Sequence, residues 1–260
     1  MGGGTGRPGV DVAINGKVRL GRADEATGQG DMAAGQPAGG QGDKAILVVD
    51  VGGNNVKFIV SGDDKRQKIP SGPDFTPEQL VDALRQALGD RHYDCVSIGV
   101  PGAVRDGRFL VAPVNLGKGW KKFDFAAAFG KPVRLVNDAV MQALGSDRGG
   151  VMLFLGLGTG LGAALVHDGR AIPLEVAHLP YKDGKTFEDF AGRRGLKRLG
   201  EKAWEAAVHD IVDKLRMAMV ADYVVLGGGN AAKLKKLPPK TTLGSNDNAL
   251  IGGFRLWGDA

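Results

Sequence analysis

The sequence predicts a mixed α/β fold in two lobes with a cleft between them, and three observations carry this. A strand, glycine-turn, strand pattern occurs twice. It appears first as the apolar run 45–49 leading into Asp50-Val51-Gly52-Gly53-Asn54-Asn55-Val56-Lys57, and again as 151–155 leading into Gly156-Leu157-Gly158-Thr159-Gly160-Leu161-Gly162. Continuous apolar runs of buried-strand type alternate with helical periods. Between the two turns, a strand ends in Val136-Asn137-Asp138, and strand C-terminal ends are where open α/β sheets place their sites. The repeat is one of pattern, not of residue identity.

The bulk numbers narrow the class. The 260 residues suit one large or two small domains, and 43% hydrophobic content supports a sizeable core. The single cysteine, Cys95, excludes an internal disulfide framework and a multi-cysteine zinc site. It sits in an apolar strand and reads as core filling rather than a nucleophile. That cysteine usage, with no spanning-length apolar run and no signal-type N-terminus, gives the expectation of a cytoplasmic protein with no membrane partner. The net charge of +5 comes from 34 basic and 29 acidic residues mixed along the chain, which reads as solubility charge with no nucleic-acid partner. Residues 1–43 hold 13 glycines and no aromatic. They read as a disordered glycine-rich tail, interrupted by a hairpin signal around Asn15-Gly16.

In the first half, 56–60 returns as a strand after Gly52-Gly53, and 65–69 forms a third. The paired glycines let backbone N–H groups approach an anion, with Asn54 in the turn and Lys57 adding charge. Asp50, at the strand end, is suited to orient a hydrated magnesium ion. A plain hairpin with an acidic terminus fits the same residues. Thr76-Pro77-Glu78 opens a helix with Thr76 as N-cap and Leu80, Val81, Leu84 and Leu88 on one face. Residues 94–100 form a strand ending in Pro101-Gly102, and after a polar turn at Asp106-Gly107 the stretch 109–111 leads into the next loop. The loop with Asn115 and Trp120 offers an amide and a flat apolar face to a sugar; alternatively a buried tryptophan pins the loop. Asp138 begins a helix after the strand 133–136. It reads either as a base or as an N-cap.

In the second half, 163–166 returns after the Gly158-Thr159-Gly160 turn, which supplies N–H groups and a hydroxyl to phosphate oxygens. Glu175 and His178, three apart, suit sugar hydroxyls; a metal pair finds no third ligand cluster. Glu188 stands at a helix start, where a solvated first-turn carboxylate is the plain alternative. Arg193, Arg194, Lys197, Arg198 and Lys202 form a basic stretch, read first as a solvated helix face. Residues 201–221 read as one long helix. The strand 223–226 ends in Gly227-Gly228-Gly229, which permits close approach of a flat ligand or phosphate. Residues 247–257 form a closing helix.

Taken in order, these motifs resemble the ROK family (repressor, open reading frame, kinase) of sugar kinases, most closely the polyphosphate- or ATP-dependent glucokinases. The resemblance is carried by Asp50-Val51-Gly52-Gly53 with Lys57, Gly99-Val100-Pro101-Gly102, Asn115-Leu116-Gly117 with Trp120, Asn137-Asp138, residues 156–162, Glu175 with His178, Glu188 and Gly227-Gly228-Gly229. It implies an α/β, actin-like (ribonuclease H-like) two-lobed sugar kinase fold, with lobes at 44–136 and 137–260. It implies that Asp138 is the general base on the 6-hydroxyl of glucose or a similar hexose, and that Asn115, Asn137, Glu175, His178 and Glu188 bind the sugar. Asp50, Gly52, Gly53, Asn54, Lys57, Gly158, Thr159 and Gly160 would serve the phosphoryl donor, ATP or polyphosphate, with Mg2+. Gly228 and Gly229 would lie near a nucleotide. The family often forms dimers, which by analogy makes a homodimer one assembly open to this chain.

Four departures stand out. Asn54 replaces the family's threonine, and Ala177 replaces the glycine before the sugar-motif histidine. No zinc-binding cysteine cluster follows that histidine, so no structural zinc is implied. The tail is no DNA-binding domain. Asn54 and Ala177 motivate a second reading, a non-catalytic sugar sensor on a kinase fold; a third is a kinase for another hexose.

Overall fold

In the computed structural model, which describes residues 44–113, 115–245 and 247–258, the first apolar run becomes β1 (Ile46–Val51). The readings for residues 1–43 lie outside the described residues. From β1 the chain turns back through β2 (Asn55–Val60) and β3 (Gln67–Pro70). Helix α1 (Pro77–Leu88) starts on a capping box: Thr76 accepts from the Gln79 N–H, and Gln79 reaches back to the Thr76 N–H. Strand β4 (Cys95–Val100) is buried throughout, Cys95 included.

A short hairpin, β5 (Val104–Arg105) and β6 (Arg108–Phe109), turns at Asp106 and Gly107, both at positive φ of 51° and 71°. Strand β6 ends at Phe109; the Leu110 N–H still donates to the Ala103 carbonyl at 2.9 Å, and Leu110 and Val111 are exposed. Helix α2 (Phe125–Phe129) and β7 (Val133–Asn137) follow, and α3 (Asp138–Ser146) starts directly on the end of β7.

The second half repeats this plan with β8 (Val151–Leu157), β9 (Leu161–His167) and β10 (Arg170–Leu174). Then come α4 (Phe187–Ala191), α5 (Arg193–Ala218), β11 (Tyr223–Gly227), β12 (Thr241–Leu243) and α6 (Asn248–Arg255). The basic stretch expected before residue 201 is itself helical. The long helix breaks at Gly200 (φ 73°, ψ 164°), so 193–199 and the segment from 201 meet at a kink.

The two sheets have the same topology. The first runs β3-β2-β1-β4-β7 and the second β10-β9-β8-β11-β12. In each, the central strand pairs antiparallel with the returning strand and parallel with the one after the helix. The pattern repeat of the sequence is therefore a repeat of fold, and the two glycine turns occupy equivalent places.

Outer faces are covered by α1 and α5. Leu80 and Leu84 join Leu47, Val49 and Ile98 in one core; Trp204, Val208, Ile211 and Leu215 join Leu153, Leu155 and Val224 in the other. Between the sheets lie α3 and α6. Helix α3 packs on β8, β9 and β10, while α6 returns to β1 and β4 of the first sheet. The helices cross at glycines: a Cβ on Gly145 would overlap the Asn248 carbonyl, and one on Gly252 the Met141 carbonyl. No helix among the described residues is long and apolar enough to cross a membrane.

Candidate active site

Both hairpin tips open into one cleft of about 660 Å³, and Asp138 lies on its wall. The β7–α3 junction sets this carboxylate. Asn137 is extended (φ −66°, ψ 145°) and caps α3, its Oδ1 accepting from the Ala139 N–H at 2.8 Å. Its Nδ2 donates to the Gly102 carbonyl at 2.8 Å. The cap is thus Asn137, which frees Asp138, the first helical residue, to face the cleft. One Asp138 oxygen accepts from the Ala139 N–H at 2.8 Å. Gly99 of β4 makes the placement fit, since a Cβ there would lie 2.8 Å from the Met141 sulfur and 3.6 Å from the Asp138 Cα.

Burial pushes the Asp138 carboxyl up to about 7, with the negative charges of Asp50 and Glu175 adding to the shift. Asp50 is also raised by burial, against the pull of Lys57. Lys57 stands directly opposite Asp50 in the β1–β2 ladder, its Nζ 3.4 Å from the carboxylate. That amine is held by Asp50 and is not on the cleft wall. The Arg/Lys side chain on the wall is instead Arg193, which is exposed.

The first turn is closed by Gly52 N–H donating to the Asn55 carbonyl at 3.0 Å. Ser71 braces it, with Oγ donating to the Gly52 carbonyl at 2.7 Å. The second turn is closed by Gly158 N–H on the Gly160 carbonyl at 3.1 Å. In both turns the next two N–H groups, of Gly53 and Asn54 and of Thr159 and Gly160, have no acceptor among the described residues. Gly53, Asn54, Gly158, Thr159 and Gly160 all line the cleft. The carbonyls of the second turn face away: Gly158 accepts from Arg193 N–H and Asn230 Nδ2, Thr159 from Arg193 N–H. Gly228, at φ 79° and packed on the Leu157 backbone, reaches the wall, whereas Gly229 does not.

Asn115, Glu175 and His178 are exposed on the wall, with no side-chain hydrogen-bond partner among the described residues. Glu188 is anchored: one oxygen accepts from the Leu161 N–H at 3.2 Å, the other from Arg194 at 3.3 Å. Gly160 exists for this contact, since a side chain there would strike the Glu188 carboxylate. Trp120 is 1% exposed, and its Nε1 donates to the Phe75 carbonyl at 2.9 Å. Of the two readings of Trp120, the structure selects the pin, which holds the Asn115 loop.

The structure thus gathers Asp138, Asn115, Asn137, Glu175, His178, Glu188 and both turns on one wall. Asp50 lies beneath it, and Lys57 and Gly229 lie off it. Pro73, Pro101, Gln142, Phe154 and Arg193 line it without having been singled out as site residues. Gln142 had a signal, standing four residues after Asp138 on the same helix face. Arg193 had one only as part of a basic run. Among the described residues no group of three or more His, Cys, Asp or Glu is placed to hold a metal ion.

Two five-stranded sheets of like topology, packed on helices crossing between them, form the actin-like two-lobed α/β fold of sugar kinases. The comparisons agree: the structure matches a polyphosphate/ATP-glucomannokinase from an Arthrobacter species (TM-score 0.68, 22% identity, 81% of this chain and 97% of that one). It also matches a Streptomyces griseus ROK glucokinase solved with glucose and AMPPNP (TM-score 0.63, 17% identity, 82% of this chain and 98% of that one). The ROK family model matches residues 46–173. In sequence, the polyphosphate glucokinase of Mycobacterium leprae is 24% identical over 213 residues, 74% of this chain. That match spans 65% of the relative's length, less than two thirds. The family match covers just under half of the chain, which is similar, at low identity, to polyphosphate glucokinases.

Proposed function

We propose that this protein is a hexose kinase transferring a phosphoryl group from polyphosphate or ATP to the 6-hydroxyl of glucose, with Asp138 as general base. The observation that carries this reading is a carboxylate raised to about 7 on a cleft wall shared with two glycine turns. A base with a pKa near the working pH is the effective one.

The hydroxyl oxygen attacks the terminal phosphorus as the bridging P–O bond breaks. The leaving phosphate keeps the electron pair, and Asp138 accepts the hydroxyl proton. Asn115, Glu175, His178 and Glu188 orient the sugar. Asn137, with both ends of its amide engaged, positions Asp138. The unpaired N–H groups of the turns and the Arg193 guanidinium neutralise the donor, the main demand of a loose phosphoryl-transfer transition state. The residues fit a magnesium ion brought with the donor. Asp50, at the end of β1 and paired with Lys57, is the carboxylate that would hold it, since magnesium is held by one or two carboxylates plus substrate phosphates. Bound there, it would neutralise phosphate charge. The reading includes a cytoplasmic location, with a homodimer as one assembly open to it.

The test is a coupled assay with glucose and mannose, each with ATP and with polyphosphate. Phosphorylation of glucose from either donor supports the reading, and faster turnover of mannose redirects it to another hexose. Glucose binding without turnover from either donor would establish the sensor.

A further inference from the structure

The segment between Glu175 and Glu188 forms an arm. Glu188 N–H donates to the Ala177 carbonyl at 3.0 Å, Phe187 N–H to Leu179 at 3.1 Å, and Tyr181 N–H to Lys185 at 2.8 Å, with an antiparallel bridge between Pro180 and Thr186. The tip closes through Lys185 N–H on the Lys182 carbonyl at 2.9 Å, with Asp183 and Gly184 at φ 52° and 67°, as a type I′ turn requires. His178 and Glu188 stand at the arm's base on the cleft wall.

At the other end Tyr181 packs on α4, its ring 4.8 Å from Phe190 edge-on and 5.2 Å from Phe187. Its hydroxyl donates to Asp210 of α5. Lys214 and Lys182 hold the same carboxylate at 2.6 and 3.2 Å. Their donated bonds, with that of Tyr181, hold Asp210 down at about 2, so it stays ionised across the physiological range. Base and tip are one ladder, so the contact of the tip with α5 bears on the pose of His178 and of Glu188, whose carboxylate is also held by the Leu161 N–H and Arg194.

We propose that Tyr181, through Asp210, is a positioning residue that latches the arm to α5 and so aligns His178 and Glu188 for the hexose. The ligand in this inference rests on the kinase reading; the latch does not. Tyr181→Phe is the informative variant, because it keeps the ring packing and removes only the hydroxyl. Two measurements on the full chain test it. In the free protein, amide exchange at Phe187 and Glu188 is expected to quicken about tenfold, as loss of one charge-assisted hydrogen bond implies, while the β8–β9 amides stay unchanged. In the assay, KM for glucose is expected to rise about tenfold, with kcat and donor KM within about twofold. Asp210→Asn, which still accepts the hydroxyl bond, should fall between the two. Unchanged exchange in the arm overturns the latch. A rise in both KM values together, with a fall in Tm, also overturns it, since that marks general loosening. A wild type that phosphorylates no hexose removes the kinase reading, and the exchange measurement then decides the latch alone.

Discussion

At the scale of single residues, Asp138 makes predictions that a plain helix cap would not. Its carboxyl titrates near 7 rather than near 3.8, so kcat/KM should fall about tenfold per pH unit below roughly pH 7 and level off above it. Asp138→Asn should keep hexose binding and lose about 10²–10⁴-fold in turnover; near-normal turnover in that variant would remove Asp138 from the mechanism. Stability carries the opposite sign. The folded pKa is above the unfolded one, so the folded state holds the proton more tightly. Its contribution is full below about pH 3.8 and is lost as pH rises through about 7. Above that, the charged carboxylate opposes folding. The asparagine variant should therefore be the more stable protein at pH 8, by on the order of 2 kcal/mol once screening by cleft water is allowed for, and the two melting curves should converge toward pH 4. Arg193 gives a second residue-level prediction. Because Lys57 is held by Asp50, Arg193→Ala should raise donor KM about ten- to a hundredfold while glucose KM holds, with Arg193→Lys intermediate. Donor KM unchanged in the alanine variant would return the donor charge to Lys57.

At the scale of elements, the helix crossing between the sheets is the feature most exposed to test. Helices α3 and α6 approach closely because Gly145 and Gly252 present no side chain. Gly252→Ala forces a methyl into the Met141 carbonyl and should cost about 1–3 kcal/mol in denaturant unfolding. Gly72→Ala, with open space around it, should be near neutral. A neutral Gly252→Ala would mean the crossing is loose. This crossing was not legible in the sequence, where residues 247–257 read only as a closing helix: packing of α6 on β1 joins residues some two hundred positions apart, and local periodicity carries no such information. What was legible were features with local causes. Thr76 and Pro77 announce α1, the apolar runs announce β1, β4 and β8, and the glycine turns announce the hairpin tips. Motif order singles out Asn115, Glu175 and His178, and all three line the cleft. Lys57 lies off the wall for a definite reason. Strand alternation says which face a side chain takes, not whether an opposite carboxylate across the ladder claims it first. Trp120 shows the same limit, since only three-dimensional burial separates a sugar platform from a loop pin.

At the scale of the whole molecule, each sheet has a core on its outer face and the two share a cleft. Residues from different parts of the chain line this cleft: Asn115 from the loop after β6, His178 and Glu188 from the base of the arm. A ligand held by both lobes binds the folded state only, so it must stabilise by mass action. At a hundredfold excess over Kd this amounts to about 2.7 kcal/mol, and for a chain of this size about 2–4 °C in Tm per kcal/mol. Saturating glucose should therefore raise Tm by roughly 5–10 °C. The rise should be concentration-dependent, with the same dependence in Asp138→Asn, because the sugar contacts do not need the base. If binding also draws the lobes together, the radius of gyration from solution scattering should fall with the same glucose dependence as the Tm shift. A Tm that rises while the radius stays constant would mean that the cleft is preformed and that water is excluded without closure. A Tm indifferent to glucose and to mannose would mean that the wall of Asn115, Glu175 and His178 recognises something other than a hexose.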